Sequence, residues 1–147
     1  MATINATISI SSNIMSYPTT INKTMTMKKI ASCHGLEETT GLRTKKFGLV
    51  TTAAVIAEAG ELTSDVAKAH KMYIRNTSSS KSGYFFVAYN ASAAAALTTE
   101  IIGKLHGGDW MLFPYNGATN ITVASDGAEE QTLEYMVFAD GIVAAEG

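Results

Sequence analysis

Three kinds of residue in this 147-residue chain could do chemistry: one cysteine, three histidines and a short glycine-rich run. Cys33 and His34 are neighbours, and an imidazole close to a thiol is one way a cysteine nucleophile is activated. Adjacent side chains on an extended chain point to opposite faces, so the pair reads as a loop cysteine beside an incidental histidine. His34, His70 and His106 would have to converge to hold zinc, and no two of them have the spacing that places two ligands on one element. A single cysteine forms neither an internal disulfide nor a cysteine-based zinc cluster. The run Gly103-Lys104-Leu105-His106-Gly107-Gly108-Asp109 resembles a phosphate loop on the surface. It fails the pattern because Leu105 stands where Ser or Thr is needed, and Thr98 where the upstream glycine is needed. His106 and Asp109 could supply two members of a hydrolytic triad, yet no serine sits in a nucleophile-elbow context. Gly107 and Gly108 therefore read as a turn feeding a buried strand, and Asp109 as an acceptor for turn amides. No catalytic residue, cofactor or metal site is expected.

Composition narrows the function classes further. The chain is 46% hydrophobic and 16% charged, with a formal charge of -2, which suits one domain with a real core and argues against a role in binding nucleic-acid phosphates. No stretch approaches the roughly 18 apolar residues of a spanning helix, and the N-terminus lacks the apolar block of a secretory leader, so an intracellular or particle-bound protein is expected. Asn5, Asn22, Asn76, Asn90 and Asn120 each open an Asn-x-Ser/Thr sequon. Without a leader these reflect abundant Ser and Thr. Aromatic residues such as Tyr84, Phe86, Tyr89 and Trp110 could form a stacking platform, but Arg75, Lys81 and Lys104 are too sparse to interleave with them, which favours core and subunit-interface packing. A carbohydrate or host-surface binding module is the alternative, and it needs Trp110 or several tyrosines exposed in one groove.

The elements that would position these residues fall into two units. Residues 1–36 carry Lys23, Lys28 and Lys29 and no acid, whereas residues 37–147 carry eight bases and 13 acids, a charge of -5. In the first unit Ile4, Ala6, Ile8 and Ile10 alternate with Thr3, Asn5, Thr7 and Ser9, and Thr24 to Lys28 alternate again beyond a break at Pro18. This is strand patterning with one apolar face, and too little apolar area to fold alone. We read residues 1–36 as an extended N-terminal arm whose candidate assembly contacts are Ile4, Ile8, Ile10, Lys23, Met25, Met27, Lys28 and Lys29. Such an arm can extend a neighbour's sheet, and its lysines complement an acidic surface.

Residues 37–147 predict a β-sandwich or jelly-roll-like body. Strands are expected at 70–77, 84–89, 97–105, 110–115, 119–124 and 132–139, separated by the Asn76–Gly83 loop and by turns at Gly107-Gly108, Asn116-Gly117 and Asp126-Gly127. Residues 51–71 admit either strands around a turn near Gly60 or a short helix on Leu62, Val66 and Ala69 capped by Thr63 or Ser64, and the alanines at 93–96 are equally ambiguous. Short aromatic and β-branched strands over this length describe an all-β fold, not a βαβ fold.

Four segments carry a family resemblance: Met72-Tyr73-Ile74-Arg75-Asn76-Thr77-Ser78, then Ile102 to Pro114 with its Leu-x-x-Gly-Asp-Trp turn, then Ile121 to Ser125, and Leu133-Glu134-Tyr135-Met136-Val137-Phe138. Together they resemble a tailed-bacteriophage virion structural protein of the small β-sandwich or jelly-roll type. The resemblance implies a repetitive structural role in the virion, as a capsid decoration (cement) protein or as a neck or tail component. It implies the major capsid protein or other virion proteins as partners, and it carries no active site. Symmetric self-association is also expected.

Overall fold

The computed structural model describes residues 3–12, 19–28, 35–62, 69–89 and 100–141. Among these the chain is all-β: β1 Thr3–Ser12, β2 Thr19–Lys28, β3 Gly35–Thr39, β4 Arg43–Phe47, β5 Ala53–Ala57, β6 Ala69–Asn76, β7 Tyr84–Tyr89, β8 Ile101–His106, β9 Trp110–Tyr115, β10 Ile121–Ser125 and β11 Gln131–Gly141. Every pairing is antiparallel. One sheet runs β5-β10-β7-β8, and the second runs β3-β11-β6-β9 with β4 also on β11.

Alternation dictates which residues meet between the two sheets. Met72 and Ile74 from β6 and Leu133 and Val137 from β11 face Phe85 and Val87 from β7 and Ile121 and Val123 from β10, all essentially inaccessible to solvent. Burying each such side chain stabilises the fold by roughly 1.5–3 kcal/mol. Phe47 closes one end of the core, its ring meeting Phe85 edge-on at 4.9 Å between centroids. The Gly107 turn fits under the Ser78–Ser80 loop so closely that a Cβ there would strike the Ser80 carbonyl, and Gly108 takes φ +85, a conformation that only glycine adopts readily.

β3 and β4 share one edge of β11. Between them Thr40 donates its backbone N–H to the Val137 carbonyl at 3.1 Å and accepts the Val137 N–H on its hydroxyl at 3.0 Å. The side chain thus replaces a main-chain partner where the strand breaks. β3 opens at Gly35, so the strand straddles the boundary expected at 36/37. Arg43, Thr44, Lys45 and Lys46 leave β4 polar and exposed, which discourages another strand from adding at this edge.

In the ambiguous stretch, Ala53–Ala57 is a strand and a turn follows at Gly60. Residues 63–68 and 93–96 lie outside the described residues. One expectation is corrected. The strand after Gly107-Gly108 is not buried: β9 pairs β6 alone among the described strands, with Trp110 and Pro114 exposed and the rest half-buried. Pro114 fits this edge position, since the N–H it lacks would point away from β6, where no described strand pairs.

Candidate functional site

β1 and β2 form a two-stranded ribbon in the register Ile4↔Met27, Ala6↔Met25, Ile8↔Lys23 and Ile10↔Ile21. Directly opposed residues share a face, so Ile4, Ala6, Ile8, Ile10, Ile21 and Met25 make one apolar face with Lys23 set into it. The other face is Thr, Asn and Ser, with Thr7 and Thr24 hydroxyls bonded across it at 2.9 Å.

The apolar face is only partly used by the body. Ile4 and Met25 pack with Tyr73, Leu112 and Met136 around Phe138, which points outward from the five-stranded sheet and is buried by that cover. Further along, Ile8, Ile10 and Ile21 remain 41%, 46% and 42% exposed. Of the expected assembly contacts, Ile4 and Met25 therefore meet the protein's own sheet, while Ile8, Ile10 and Lys23 face solvent. Met27 and Lys28 lie on β2 by backbone position, and Lys29 lies outside the described residues.

Between ribbon and sheet runs a groove of about 1030 Å³. Ile4 to Ile8 and Lys23 to Met25 line one side; Tyr73, Arg75, Phe138 and the start of β9 from Trp110 to Leu112 line the other. Trp110 is 49% exposed there, opposite Arg75 in the β6–β9 register. The Tyr73 hydroxyl donates to Glu134 Oε1 at 2.9 Å. Burial and then that carboxylate push the Tyr73 phenol above its ordinary range.

No family model matches the chain, and no curated protein matches it.

The residues first considered for chemistry are scattered through the fold. Cys33 and His34 lie outside the described residues. His70 is buried on β6, edge-on to Tyr115 at 5.7 Å, with Nε2 3.4 Å from the Leu62 carbonyl. His106 sits on β8 in the other sheet, its Nδ1 3.1 Å from the Lys81 carbonyl. No cluster of three His, Cys, Asp or Glu that could hold a metal occurs among the described residues. Asp109 accepts the His106 N–H at 3.0 Å, the turn role its position suggests. Asn76 is fully buried: Nδ2 donates to the Leu105 carbonyl at 3.2 Å and to Gln131 Oε1 at 2.8 Å, so its sequon side chain is part of the core. The aromatics divide between core and surface, with Phe85 buried and Trp110 in the groove. On the outer face of the four-stranded sheet Lys104 Nζ lies 4.5 Å from the Tyr84 ring centroid and 5.0 Å from that of Phe86, a cation–π contact that the sparse charges did not suggest.

Proposed function

We propose that this chain is a non-enzymatic structural subunit of a tailed-phage particle, a head decoration (cement) protein that binds the assembled shell through its N-terminal ribbon. The observation that carries the reading is the overhang of the ribbon's apolar face: Ile8, Ile10 and Ile21 are exposed on a strand pair whose neighbouring residues are anchored to the body. An exposed apolar strip on a two-stranded element suits a partner surface, and the open strand edges suit pairing with a neighbour's sheet. The resemblance of the Tyr73-Ile74-Arg75-Asn76-Thr77, Gly-Asp-Trp and Leu133 to Phe138 segments supplies the particle. On this reading the partner is the major capsid protein or another virion protein, the place is the virion, and binding stabilises the lattice by mass action.

Quantitative mass spectrometry of purified virions tests it. A ratio near one copy per capsid subunit, or a simple fraction of it, is the expected result. About a dozen copies or fewer per particle would instead mean a neck or tail ring, and absence from the virion would overturn the structural reading.

A second reading, a carbohydrate or host-surface binding module, is favoured by one observation, the exposed Trp110 in a groove beside Tyr73 and Arg75. Quenching or shifting of Trp110 emission by oligosaccharides would support it.

A further inference from the structure

We infer that the groove between the ribbon and β9 binds an extended, acidic segment of a partner protein by strand addition to the open edge of β9. The inference rests on the structural-subunit reading and assigns the chemistry of its partner.

Asn76 donates its N–H to the Asp109 carbonyl at 3.0 Å, which fixes the phase of the β6–β9 ladder. In an antiparallel pair the inward-bonding positions alternate, so Met111 and Phe113 bond towards β6 while the N–H and C=O of Trp110 and Leu112 point away from it. No described strand pairs that side of β9. Pro114, the next outward position, has no N–H, so the open ladder is confined to the stretch that lines the groove.

The groove wall carries Lys23 and Arg75 and no carboxylate. Beside it Glu134, opposite Arg75 in the sheet register, accepts the Tyr73 hydroxyl, and Asp109, next to Trp110, accepts the His106 amide and meets Lys81 at 3.5 Å. An incoming acidic chain would therefore meet Lys23 in a wall without carboxylates, and Arg75 with Glu134 as its cross-strand neighbour.

Side-chain chemistry separates a peptide from a sugar. Ile8 and Leu112 give the groove aliphatic walls with Lys23 and Arg75 on the same face, so an added strand turns both apolar residues and carboxylates to that face, at successive outward positions. A glycan stacks on Trp110 but leaves the aliphatic wall without apolar partners.

Two capped eight-residue peptides test this on the full chain, one repeating Thr-Val-Thr-Glu and one repeating Thr-Val-Thr-Lys so that Val and the charge share a face, read by Trp110 emission and by hydrogen exchange of the Trp110 and Leu112 amides. The Glu peptide is expected to bind at least tenfold tighter than the Lys peptide, to shift the emission to the blue and to slow exchange at both amides. In the double variant Lys23→Glu/Arg75→Glu the preference should reverse, which a merely destabilised fold would not produce. Equal binding of both peptides, binding of neither, or an emission change with polygalacturonate but not with the Glu peptide would overturn the inference. Retention of shell binding by the double variant would also overturn it while leaving the structural-subunit reading standing; a wild-type chain that binds the Glu peptide but no shell would do the reverse.

Discussion

On β6 the apolar side of the alternation, Met72 and Ile74, is wholly buried, whereas the same side of β1 runs from half-buried Ile4 to Ile8 and Ile10, which stay 41% and 46% exposed. The two strands share a period and differ in what covers them. β6 lies between β11 and β9 and beneath a second sheet, so its apolar residues are covered within one chain. Among the described residues each ribbon strand pairs only with the other, and the ribbon's apolar face packs on the body around Phe138. Alternation therefore reports that a face is to be covered; it does not report whether the cover comes from the same molecule.

Mutations should separate the two regions, the sandwich responding most. Phe85→Ala empties a fully buried site between the sheets and is expected to cost about 3–5 kcal/mol in urea unfolding. Asn76→Ala leaves the Leu105 carbonyl and the Gln131 side chain without a partner they now have, and should cost about 1–3 kcal/mol. Phe138→Ala acts at the junction. Limited proteolysis of that variant should cut within residues 3–28 while the sandwich resists, because the ribbon loses the ring its apolar residues surround. Equal resistance of both regions would show that the ribbon is held by something other than this contact.

A pH effect is expected in the sandwich. Burial, with Glu61 second, pushes the Tyr115 phenol up to about 12 from an ordinary 10.0. Between those values the unfolded chain has released a proton that the folded chain keeps, so stability falls as pH rises from 10 towards 12. A spectrophotometric titration should show Tyr115, and Tyr73 with it, ionising above the ordinary phenol range, and replacing Tyr115 by Phe should reduce the alkaline loss. The smallest effect is Ile10→Thr, on the ribbon, which should change unfolding stability by no more than about 0.5 kcal/mol.

Much of this contrast was legible in the residues. The alternation of Ile4 to Ile10 and of Thr24 to Lys28 marked the ribbon strands, and the Gly and Asn turns placed β6, β7, β9, β10 and β11 within a few residues of their ends. Asp109 in its turn followed from side-chain chemistry alone. The groove did not, because it joins Lys23 to Arg75 and Trp110 through the docking of one sheet on another, and local pattern carries no such pairing. Pro114 in an otherwise apolar strand does mark β9 as an edge, and an edge strand is where Trp110 can face solvent. The break at Thr40 was likewise hidden, since a threonine hydroxyl acting as a main-chain partner has no sequence signature.

The central claim is that folding resides in the sandwich and attachment in the overhanging end of the ribbon. The triple substitution Ile8→Thr, Ile10→Thr and Ile21→Thr tests it most directly, since threonine keeps strand propensity while removing apolar surface. Sedimentation with phage shells stripped of the protein, alongside urea unfolding of the same variant, is the measurement. The account predicts an unfolding midpoint close to that of the unsubstituted chain and loss of the variant from the shell pellet; undiminished shell binding with the fold intact would contradict it.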